Sequence, residues 1–466
     1  MTTDEPADVG ASFRDPSGFV FKRGGVVLRQ INECYRDDWD HLVSSGLYEQ
    51  LSSDGRLVPH EDLDVDEALT DSAYHVIRPQ QIPFISYPYE WSFGQLKAAA
   101  LLTLEIQREA LEHDMSLKDA TAFNVQFIGC RPVFIDTLSF ERYREGEPWV
   151  GYRQFCEHFI APLALMAYTD CSLGALQRLW IDGIPLPVAT SMLPWRTRLK
   201  PSLLTHLHIH AGTQKRHEND ATPTEQRKGS FSRLAMTGLM DSLEGAVSKL
   251  DWTPAGTEWA EYYDETNYSD EAMSHKKQLV ARFIDEVAPA TVWDIGANTG
   301  EFSLIARDAG ATVVAMDVDR AAVDRLYRRG AEADESDILP LVMDLTNPSP
   351  ALGWNHDERS SLKDRGPSEM ALALALVHHL AIGNNVPLPM VADFLHDLCD
   401  TLVVEFVPKT DSQVQRMLAS REDIFDGYHQ QGFEDAFAGC FEIADRVAVE
   451  GSERTLYLMR KRATNA

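Results

Sequence analysis

The chain has 466 residues, of which 44% are apolar, and this is typical of a globular protein of about three domain lengths. Its 72 acidic and 43 basic residues give a formal net charge of −29, which repels a phosphate backbone or an anionic membrane unless a local basic patch intervenes. We therefore expect no nucleic acid and no membrane among its partners.

The cysteines and the apolar runs favour a cytoplasmic protein. The six cysteines form no CxxC pair, and the N-terminal sequence MTTDEPADVGASFRD is polar and acidic, unlike a secretory signal. The longest apolar runs, such as APLALMAY at 161–168, are much shorter than a segment that spans a bilayer. We expect a cytoplasmic location, with neither a disulfide framework nor a zinc knuckle.

One pattern in the N-terminal half suggests chemistry. A long helix is predicted over 93–113, and it is followed by LKDATAFN, with Asp119 and Asn124, and by the apolar run PVFID, which ends at Asp136. Over residues 90–145 this order resembles the catalytic loop and metal-binding aspartate of protein-kinase-like and small-molecule-kinase folds. The resemblance implies that Asp119 is a base and that Asn124 and Asp136 hold Mg²⁺.

Two parts of the kinase pattern are missing. No G-x-G-x-x-G loop precedes residue 90, and the predicted strands at 21–31 offer Arg29 where kinases carry a lysine. Three interpretations of an N-terminal accessory domain over 1–209 therefore stay open. It is a degenerate kinase-like α+β domain used for acceptor binding or scaffolding, an unrelated helical domain, or an active kinase.

The two halves of the chain are separated by a polar stretch. Residues 210–230 contain almost no apolar side chains and predict an exposed linker or loop, and residues 231–255 predict an amphipathic connecting helix. Just before the linker, THLHIH places His206, His208 and His210 on one face of a predicted strand, as metal ligands can be placed. Without a nearby cysteine or acidic partner we favour a polar strand face, and we expect no metal.

Beyond residue 255, short β-rich runs alternate with helical patterns, which is typical of a doubly wound α/β sheet. The first strand passes through Asp294 into a turn containing Gly296, Asn298 and Gly300, where a ligand can approach the backbone closely. Both dinucleotides and S-adenosylmethionine (SAM) use such a turn. Its acidic neighbours disfavour a pyrophosphate and suit a cofactor that carries a sulfonium and an ammonium group.

Two later strand ends also carry aspartates. Asp317 follows VVAM and can accept both hydroxyls of a ribose, and Asp344 follows LVM and can accept a hydrogen bond from an adenine amino group. Leu345 would then pack on the adenine ring. A single aspartate at a strand end is often only a solvated turn residue, but three in this order predict a SAM site.

On these motifs, DIGANTG, AMDVD and VMDL, residues 256–466 resemble a class I SAM-dependent methyltransferase. Asn298 stands where many members of that family carry a central glycine. The resemblance implies an α/β fold with a doubly wound, mostly parallel seven-stranded sheet, and S-adenosyl-L-methionine as cofactor. It also implies that the last two strands, for which 440–450 and 454–462 are candidates, form an antiparallel pair.

A histidine pair follows the predicted fourth strand. His378 and His379 come after ALALALV, and ligands of open α/β sheets bind at the carboxyl ends of strands, so the pair is expected near the methyl acceptor. Alternation along a strand predicts that one imidazole faces the pocket, where it could take a proton from a hydroxyl or amine. Alternatively, both are buried structural histidines. No DPPY-like motif of the DNA base methyltransferases follows.

Three more residues are candidates for the site. Tyr268 could offer its ring to a sulfonium cation, and Lys276 could pair with the cofactor carboxylate, unless this segment is an amphipathic helix with surface lysines. Glu405, at the end of the next strand, could bind the acceptor, a histidine or nothing.

The sequence thus predicts a two-domain methyltransferase that transfers a methyl group to an O or N nucleophile of a small molecule or a protein. Two alternatives remain: a kinase-like phosphotransferase whose C-terminal domain senses SAM, and a non-catalytic binding protein.

Overall fold

The computed structural model describes residues 7–8, 10, 12–212, 231–253, 269–419 and 421–463. The chain divides into two compact units: unit 1 comprises Met1–Thr253 and Ala351–Arg359, and unit 2 comprises Pro254–Pro350 and Ser360–Ala466. The chain therefore passes between the units three times. Most of the predicted linker, from residue 213 to residue 230, lies outside the described residues.

The described residues of unit 1 form one five-stranded sheet and two small two-stranded sheets. Its strands are β1 (Ala7–Asp8), β2 (Gly18–Arg23), β3 (Val26–Asn32), β4 (His60–Leu63), β5 (Ala73–Pro79), β6 (Met115–Leu117), β7 (Val125–Ile128), β8 (Arg131–Phe134) and β9 (Phe140–Arg142). The large sheet has the order β1-β2-β3-β5-β4 with antiparallel neighbours, while β6 pairs with β9 and β7 with β8.

Helices make up most of the rest of unit 1. They are α1 (Arg36–Ser44), α2 (Leu47–Ser53), α3 (Phe93–Glu112), α4 (Tyr152–Phe155), α5 (Ala161–Tyr168), α6 (Leu186–Met192), α7 (Pro201–Leu203) and α8 (Arg233–Ser248), with a π-helical turn at Cys156–Ile160 and 3-10 turns at Cys171–Arg178 and Trp195–Leu199. The predicted long helix is confirmed as α3. It begins with a capping box, in which the Ser92 hydroxyl accepts from the Gln95 N–H and the Gln95 side chain accepts from the Ser92 N–H.

The segment Ala351–Arg359, although it comes from the second half of the sequence, packs as part of unit 1. Arg14 donates from Nη2 to the buried Glu358 carboxylate at 2.7 Å, and the Arg359 guanidinium lies 4.2 Å from the ring centre of Phe123. The segment therefore completes unit 1 with an ion pair and a cation–π contact.

The strand predicted for THLHIH is wrong. Leu204–Ile209 is a π-helical turn that continues α7. His206 pairs with the Tyr152 hydroxyl at 2.9 Å and the Ser242 hydroxyl at 2.8 Å, and His208 pairs with the Thr197 hydroxyl at 2.9 Å. A short run that alternates apolar and polar residues fits a strand or a buried helical turn equally well, and tertiary packing decides between them.

Unit 2 is built on one seven-stranded sheet. Its strands are β10 (Thr291–Ile295), β11 (Thr312–Asp317), β12 (Ile338–Val342), β13 (Ser368–Ala373), β14 (Cys399–Phe406), β15 (Phe441–Ala448) and β16 (Thr455–Lys461), in the order β12-β11-β10-β13-β14-β16-β15. The first five are parallel to one another, and β16 runs antiparallel to both β14 and β15. The predicted mostly parallel sheet with a final antiparallel pair is confirmed.

Helices cover this sheet because its parallel strands are buried and almost continuously apolar. They are α9 (Asp270–Val287), α10 (Glu301–Asp308), α11 (Arg320–Glu332), α12 (Leu388–Leu398), α13 (Ser412–Leu418) and α14 (Gln430–Phe437). A π-helical turn lies at His379–Gly383 and a 3-10 turn at Lys363–Arg365. Another 3-10 turn, Trp354–His356, lies in the segment that belongs to unit 1. Phe283, Phe302, Val313, Leu372 and Leu458 belong to the core of unit 2. Within the described ranges, no helix is long and apolar enough to cross a membrane.

Candidate functional site

The turn after β10 has the backbone conformation of a cofactor loop. Gly296, Asn298 and Gly300 all have positive φ angles, of 87°, 49° and 82°. Asparagine adopts this left-handed conformation more readily than most residues, which explains how Asn298 replaces the usual glycine. At Gly300 a Cβ would lie 2.8 Å from Leu326, so both the φ angle and the packing require glycine there.

Asp317, at the end of β11, is held against this turn. One of its carboxylate oxygens accepts from the Asn298 N–H and the other from the Asp319 N–H, each at 2.8 Å. Because a carboxylate offers about four acceptor sites, it keeps capacity for an outside donor such as a ribose hydroxyl. Burial raises the pKa of Asp317, and hydrogen bonds from the backbone N–H groups of Asp319, Asn298 and Val318 act against that shift.

Asp344 and Leu345 lie at the neighbouring strand end. The Met343 N–H donates to the Asp317 carbonyl at 2.8 Å, so the two strand ends are adjacent. The Asp344 carboxylate accepts from the Thr346 N–H at 2.9 Å and from its hydroxyl at 2.7 Å, which fixes the turn. Both Asp344 and Leu345 are half-buried.

Asp294 lies deeper than a ligand-contacting residue usually does. Its carboxylate is buried and accepts from the Ser303 hydroxyl at 2.6 Å. Burial raises the pKa of Asp294 to about 6, and the Ser303 hydrogen bond opposes the shift. Asp294, Asp317 and Asp344 thus place carboxyl groups at the ends of three neighbouring strands, an arrangement that suits a cationic cofactor.

Lys276 is not a surface lysine. Its side chain is 3% exposed, and its Nζ donates to the buried Glu405 carboxylate at 2.7 Å. The alternative of a surface lysine is therefore wrong for Lys276, because α9 turns this side chain into unit 2, whereas Lys277 pairs with Glu301 at the partly exposed surface. The pairing of Lys276 with a cofactor carboxylate stays a prediction. Glu405 forms a buried ion pair with Lys276, a partner that was not among the roles left open for it.

Two charged residues that could not be identified from the sequence, Arg454 and Asp411, lie next to the Lys276–Glu405 ion pair. Arg454 donates from Nε to the Asp411 carboxylate at 2.8 Å, and its Nη1 lies 3.8 Å from Glu405. Arg454 is 2% exposed and Asp411 10% exposed. Lys276, Glu405, Arg454 and Asp411 thus form a buried charge network with equal numbers of both signs.

The histidine pair lies on a helical turn, not on a strand. β13 ends at Ala373, Ala375 has a left-handed φ of 51°, and His378 and His379 follow on the turn. Alternation along a strand therefore does not apply, and the two ring centres are only 4.2 Å apart. A non-glycine residue in this conformation costs about 1–3 kcal/mol and is enriched at active sites.

His378 is the more unusual of the pair. It is fully buried, and neither of its ring nitrogens has a hydrogen-bond partner within the described part of the chain. Burial lowers the pKa of His378 well below 6.5, and the charges of His379, Arg454 and Lys276 lower it further. Burial and Arg454 also lower the pKa of His379. His378 is therefore a neutral imidazole with unused hydrogen-bonding capacity.

The remaining predicted residue, Tyr268, lies outside the described residues. The others belong to unit 2. Lys276 lies on α9 and Asp294 within β10, while the glycine-containing turn, Asp317, Asp344, Leu345 and the histidine pair lie at or after the carboxyl ends of β10, β11, β12 and β13. The glycine-containing turn, the two half-buried aspartates and the acidic surroundings fit the ribose, adenine and cationic groups of SAM.

The kinase-like residues of unit 1 also come together. Burial and the nearby Asp136 charge raise the pKa of Asp119, which accepts from the Thr121 N–H at 3.0 Å. Asp136 pairs with Arg29 and accepts from the Ser139 hydroxyl, while the Asn124 amide donates to Ser139 at 2.9 Å. Asp136, which would hold Mg²⁺ in a kinase, is thus engaged by protein donors, and Arg29 supplies the positive charge, while Asn124 is held by the hydroxyl to which it donates.

No protein-family model matches the chain. It is 35% identical to nodulation protein NoeA of Rhizobium meliloti (strain 1021) over 463 residues, which cover 98% of this chain and 96% of that protein. Magnesium protoporphyrin IX methyltransferase ChlM of Synechocystis PCC 6803, solved with bound SAH, is 16% identical over 44% of this chain and 93% of its own, with a TM-score of 0.31. N-methyltransferase NodS of Bradyrhizobium japonicum WM9 is 11% identical over 42% and 99%, with a TM-score of 0.31.

Proposed function

This chain belongs to the family of nodulation protein NoeA, and we propose that it is a SAM-dependent methyltransferase acting on an O or N nucleophile. The observation that carries the proposal is the hydrogen bond from the Asn298 N–H to Asp317, which joins the glycine-containing turn at 2.8 Å to the carboxylate that we propose binds the ribose. The strand order of unit 2 is that of class I methyltransferases, which supports the same conclusion.

Unit 2 would bind the cofactor through four groups. The turn at Gly296–Gly300 gives close backbone access, Asp317 accepts from the ribose, Asp344 accepts from the adenine amino group, and Leu345 packs on the ring. When bound, SAM supplies an electrophilic methyl group. The protein then has to orient the acceptor, exclude water and receive one proton.

His378 is the group that we assign to that proton, with His379 as the alternative. A neutral imidazole with no hydrogen-bond partner among the described residues can accept a hydrogen bond from a hydroxyl or amine of the acceptor and take its proton during methyl transfer. Because the pKa of His378 is low, the imidazole is neutral at neutral pH and can accept the proton as methyl transfer makes the acceptor acidic.

We further propose that the acceptor is a small molecule or a protein and that the enzyme works in the cytoplasm. The net charge of −29 disfavours nucleic acid as the acceptor. The direct test is to incubate the protein with isotopically labelled SAM and a host metabolite extract, and to search for a labelled product by mass spectrometry. The His378→Gln variant is the negative control, and a protein that binds SAM but yields no product with any extract would contradict the assignment as an enzyme.

Replacing Asp317 with alanine is expected to weaken SAM binding by about 1.5–3 kcal/mol, because the ribose loses a charged hydrogen-bond acceptor. Titration calorimetry measures this change. Asp337→Ala is the matched control, since Asp337 is an exposed aspartate that precedes β12 at the opposite strand end. Equal affinities of the wild type and Asp317→Ala would refute the ribose assignment.

The alternative function, phosphoryl transfer in unit 1, is less well supported. Asp136 is engaged by Arg29 and Ser139, so we expect neither stabilisation of the protein by ATP with Mg²⁺ nor ATP turnover. Asp119→Ala should leave methyl transfer unchanged. Mg²⁺-dependent ATP turnover that is present in the wild type and lost in Asp119→Ala would instead establish the kinase interpretation.

A further inference from the structure

A patch of basic and apolar side chains lies on the surface of unit 1. The 3-10 turn Trp195–Leu199 and the next residue expose Trp195, Arg196, Arg198, Leu199 and Lys200, which we call the Trp195 patch. Trp195 is 73% exposed and Leu199 is 70% exposed. Large apolar side chains exposed this far beside several cations are uncommon on a free protein surface.

The backbone holds these side chains outward. Thr197, in the middle of the turn, is fully buried, and its hydroxyl donates to the Pro194 carbonyl at 2.7 Å and pairs with His208 at 2.9 Å. That second bond connects the turn to Leu204–Ile209, which exposes Leu204 and Ile209. The apolar surface therefore extends beyond a single turn.

The charge of this region is opposite to that of the whole chain. Although the protein has 72 acidic residues, none occurs between Asp182 and Glu218. Within the described residues, no carboxylate pairs with Arg196, Arg198 or Lys200. Arg196 instead donates to the Tyr168 carbonyl at 3.3 Å, and Lys200 lies 5.1 Å from the Tyr168 ring centre.

One carboxylate, that of Asp241, lies near Pro201 and Thr205, but it already forms an ion pair with an arginine. Asp241 lines a groove with Pro201 and Thr205, and it accepts from Arg108 of α3 at 2.7 Å. The three cations of the Trp195 patch are therefore available to an external anion.

We propose that the Trp195 patch docks this protein on an anionic lipid bilayer. Peripheral membrane proteins combine lysine and arginine, which attract anionic lipids, with tryptophan and leucine, which enter the headgroup region. Tryptophan is enriched at this membrane–water interface. Charges farther away than about 10 Å are screened at 0.1 M salt, so the local patch outweighs the acidic remainder of the chain. The net charge alone predicts no membrane partner. A local basic patch is the exception to that prediction, and the Trp195 patch is such a patch.

The test is sedimentation of the full chain with phosphatidylcholine vesicles that contain or lack 30% phosphatidylglycerol. We expect binding to the anionic vesicles alone and release at high salt. The triple variant Arg196→Gln/Arg198→Gln/Lys200→Gln should bind about 100-fold more weakly, and Trp195→Ala should also bind more weakly.

Trp354→Ala is the matched control, because Trp354 is 74% exposed in unit 1 but lies beside the acidic Asp357 and Glu358. It should bind vesicles like the wild type, and circular dichroism checks that all variants are folded. Failure of the wild type to bind anionic vesicles, or equal losses in Trp195→Ala and Trp354→Ala, would overturn the proposal. So would a self-association that Trp195→Ala abolishes, since the patch would then join two copies of the chain.

Discussion

Replacing His378 with glutamine is expected to lower the single-turnover rate of methyl transfer by about 100- to 10,000-fold, the usual effect of removing a general base. His378 is buried, and neither of its ring nitrogens has a hydrogen-bond partner within the described residues. A ring nitrogen can therefore form a hydrogen bond with the methyl acceptor. Glutamine keeps a polar side chain of similar length but cannot take the proton. The affinity for SAM should stay nearly constant.

The pH profile of the same rate tests the direction of the pKa shift. The imidazole accepts a proton only when it is neutral, which holds above its pKa. Because burial and the charges of His379, Arg454 and Lys276 lower that pKa well below 6.5, the rate should stay level from pH 8 to pH 6.5 and fall only at lower pH. A fall centred above pH 6.5 would contradict this assignment.

His379→Gln is the matched control for the base. It changes the neighbouring ring, whose centre is 4.2 Å away, and should leave the rate close to that of the wild type. Thermal melts separate a loss of stability from a loss of catalysis. If His379→Gln alone lost activity, the base would be His379, and near-wild-type rates in both variants would eliminate the base hypothesis.

Replacing Glu405 with glutamine is expected to destabilise the protein by about 3–5 kcal/mol, because it leaves the buried ammonium of Lys276 without its countercharge. The two groups are 2.7 Å apart, with side-chain exposures of 3% for Lys276 and 0% for Glu405. Arg454, 3.8 Å from Glu405, would keep only Asp411 as its carboxylate partner in the network. Chemical denaturation followed by circular dichroism measures the change.

The adjacent lysine provides the control. Lys277 pairs with Glu301 at 2.8 Å, but both side chains are about one-third exposed, so Lys277→Met should change stability by only about 0–1 kcal/mol. Lys276→Met combined with Glu405→Leu removes both charges and should recover much of the loss. If Glu405→Gln and Lys277→Met had equal effects, burial would not be the source of the stabilisation.

The sheet of unit 2 could be predicted because its signals are local. Apolar runs that end in Asp294, Asp317 and Asp344 mark strands and their carboxyl ends, and the last two strands are separated by an obvious turn at Gly451. Asn298 could be placed in the turn after β10 because a glycine stands two residues before it and another two residues after it.

The parts that could not be predicted depend on packing or on distant residues. ALALALVHHL contains no turn residue, so nothing local shows that the strand ends at Ala373 and that Ala375 turns left-handed. Lys276 and Arg454 come from opposite ends of unit 2, and only the folded sheet brings both to Glu405. A buried ion pair between remote residues leaves no periodic pattern in a single sequence.

The path of the chain limits how this protein can be divided. Ala351–Arg359 belongs to unit 1 although it is encoded within the second half, and it contributes the Glu358 carboxylate that binds Arg14. If the chain were divided after residue 253, the N-terminal fragment would lack nine residues of unit 1. The C-terminal fragment would carry those nine residues without the rest of the unit against which they pack. Simple end-to-end fusion cannot replace either half with a half of another protein. We therefore expect the two halves to be inherited together, as in the relative whose alignment covers 98% of this chain.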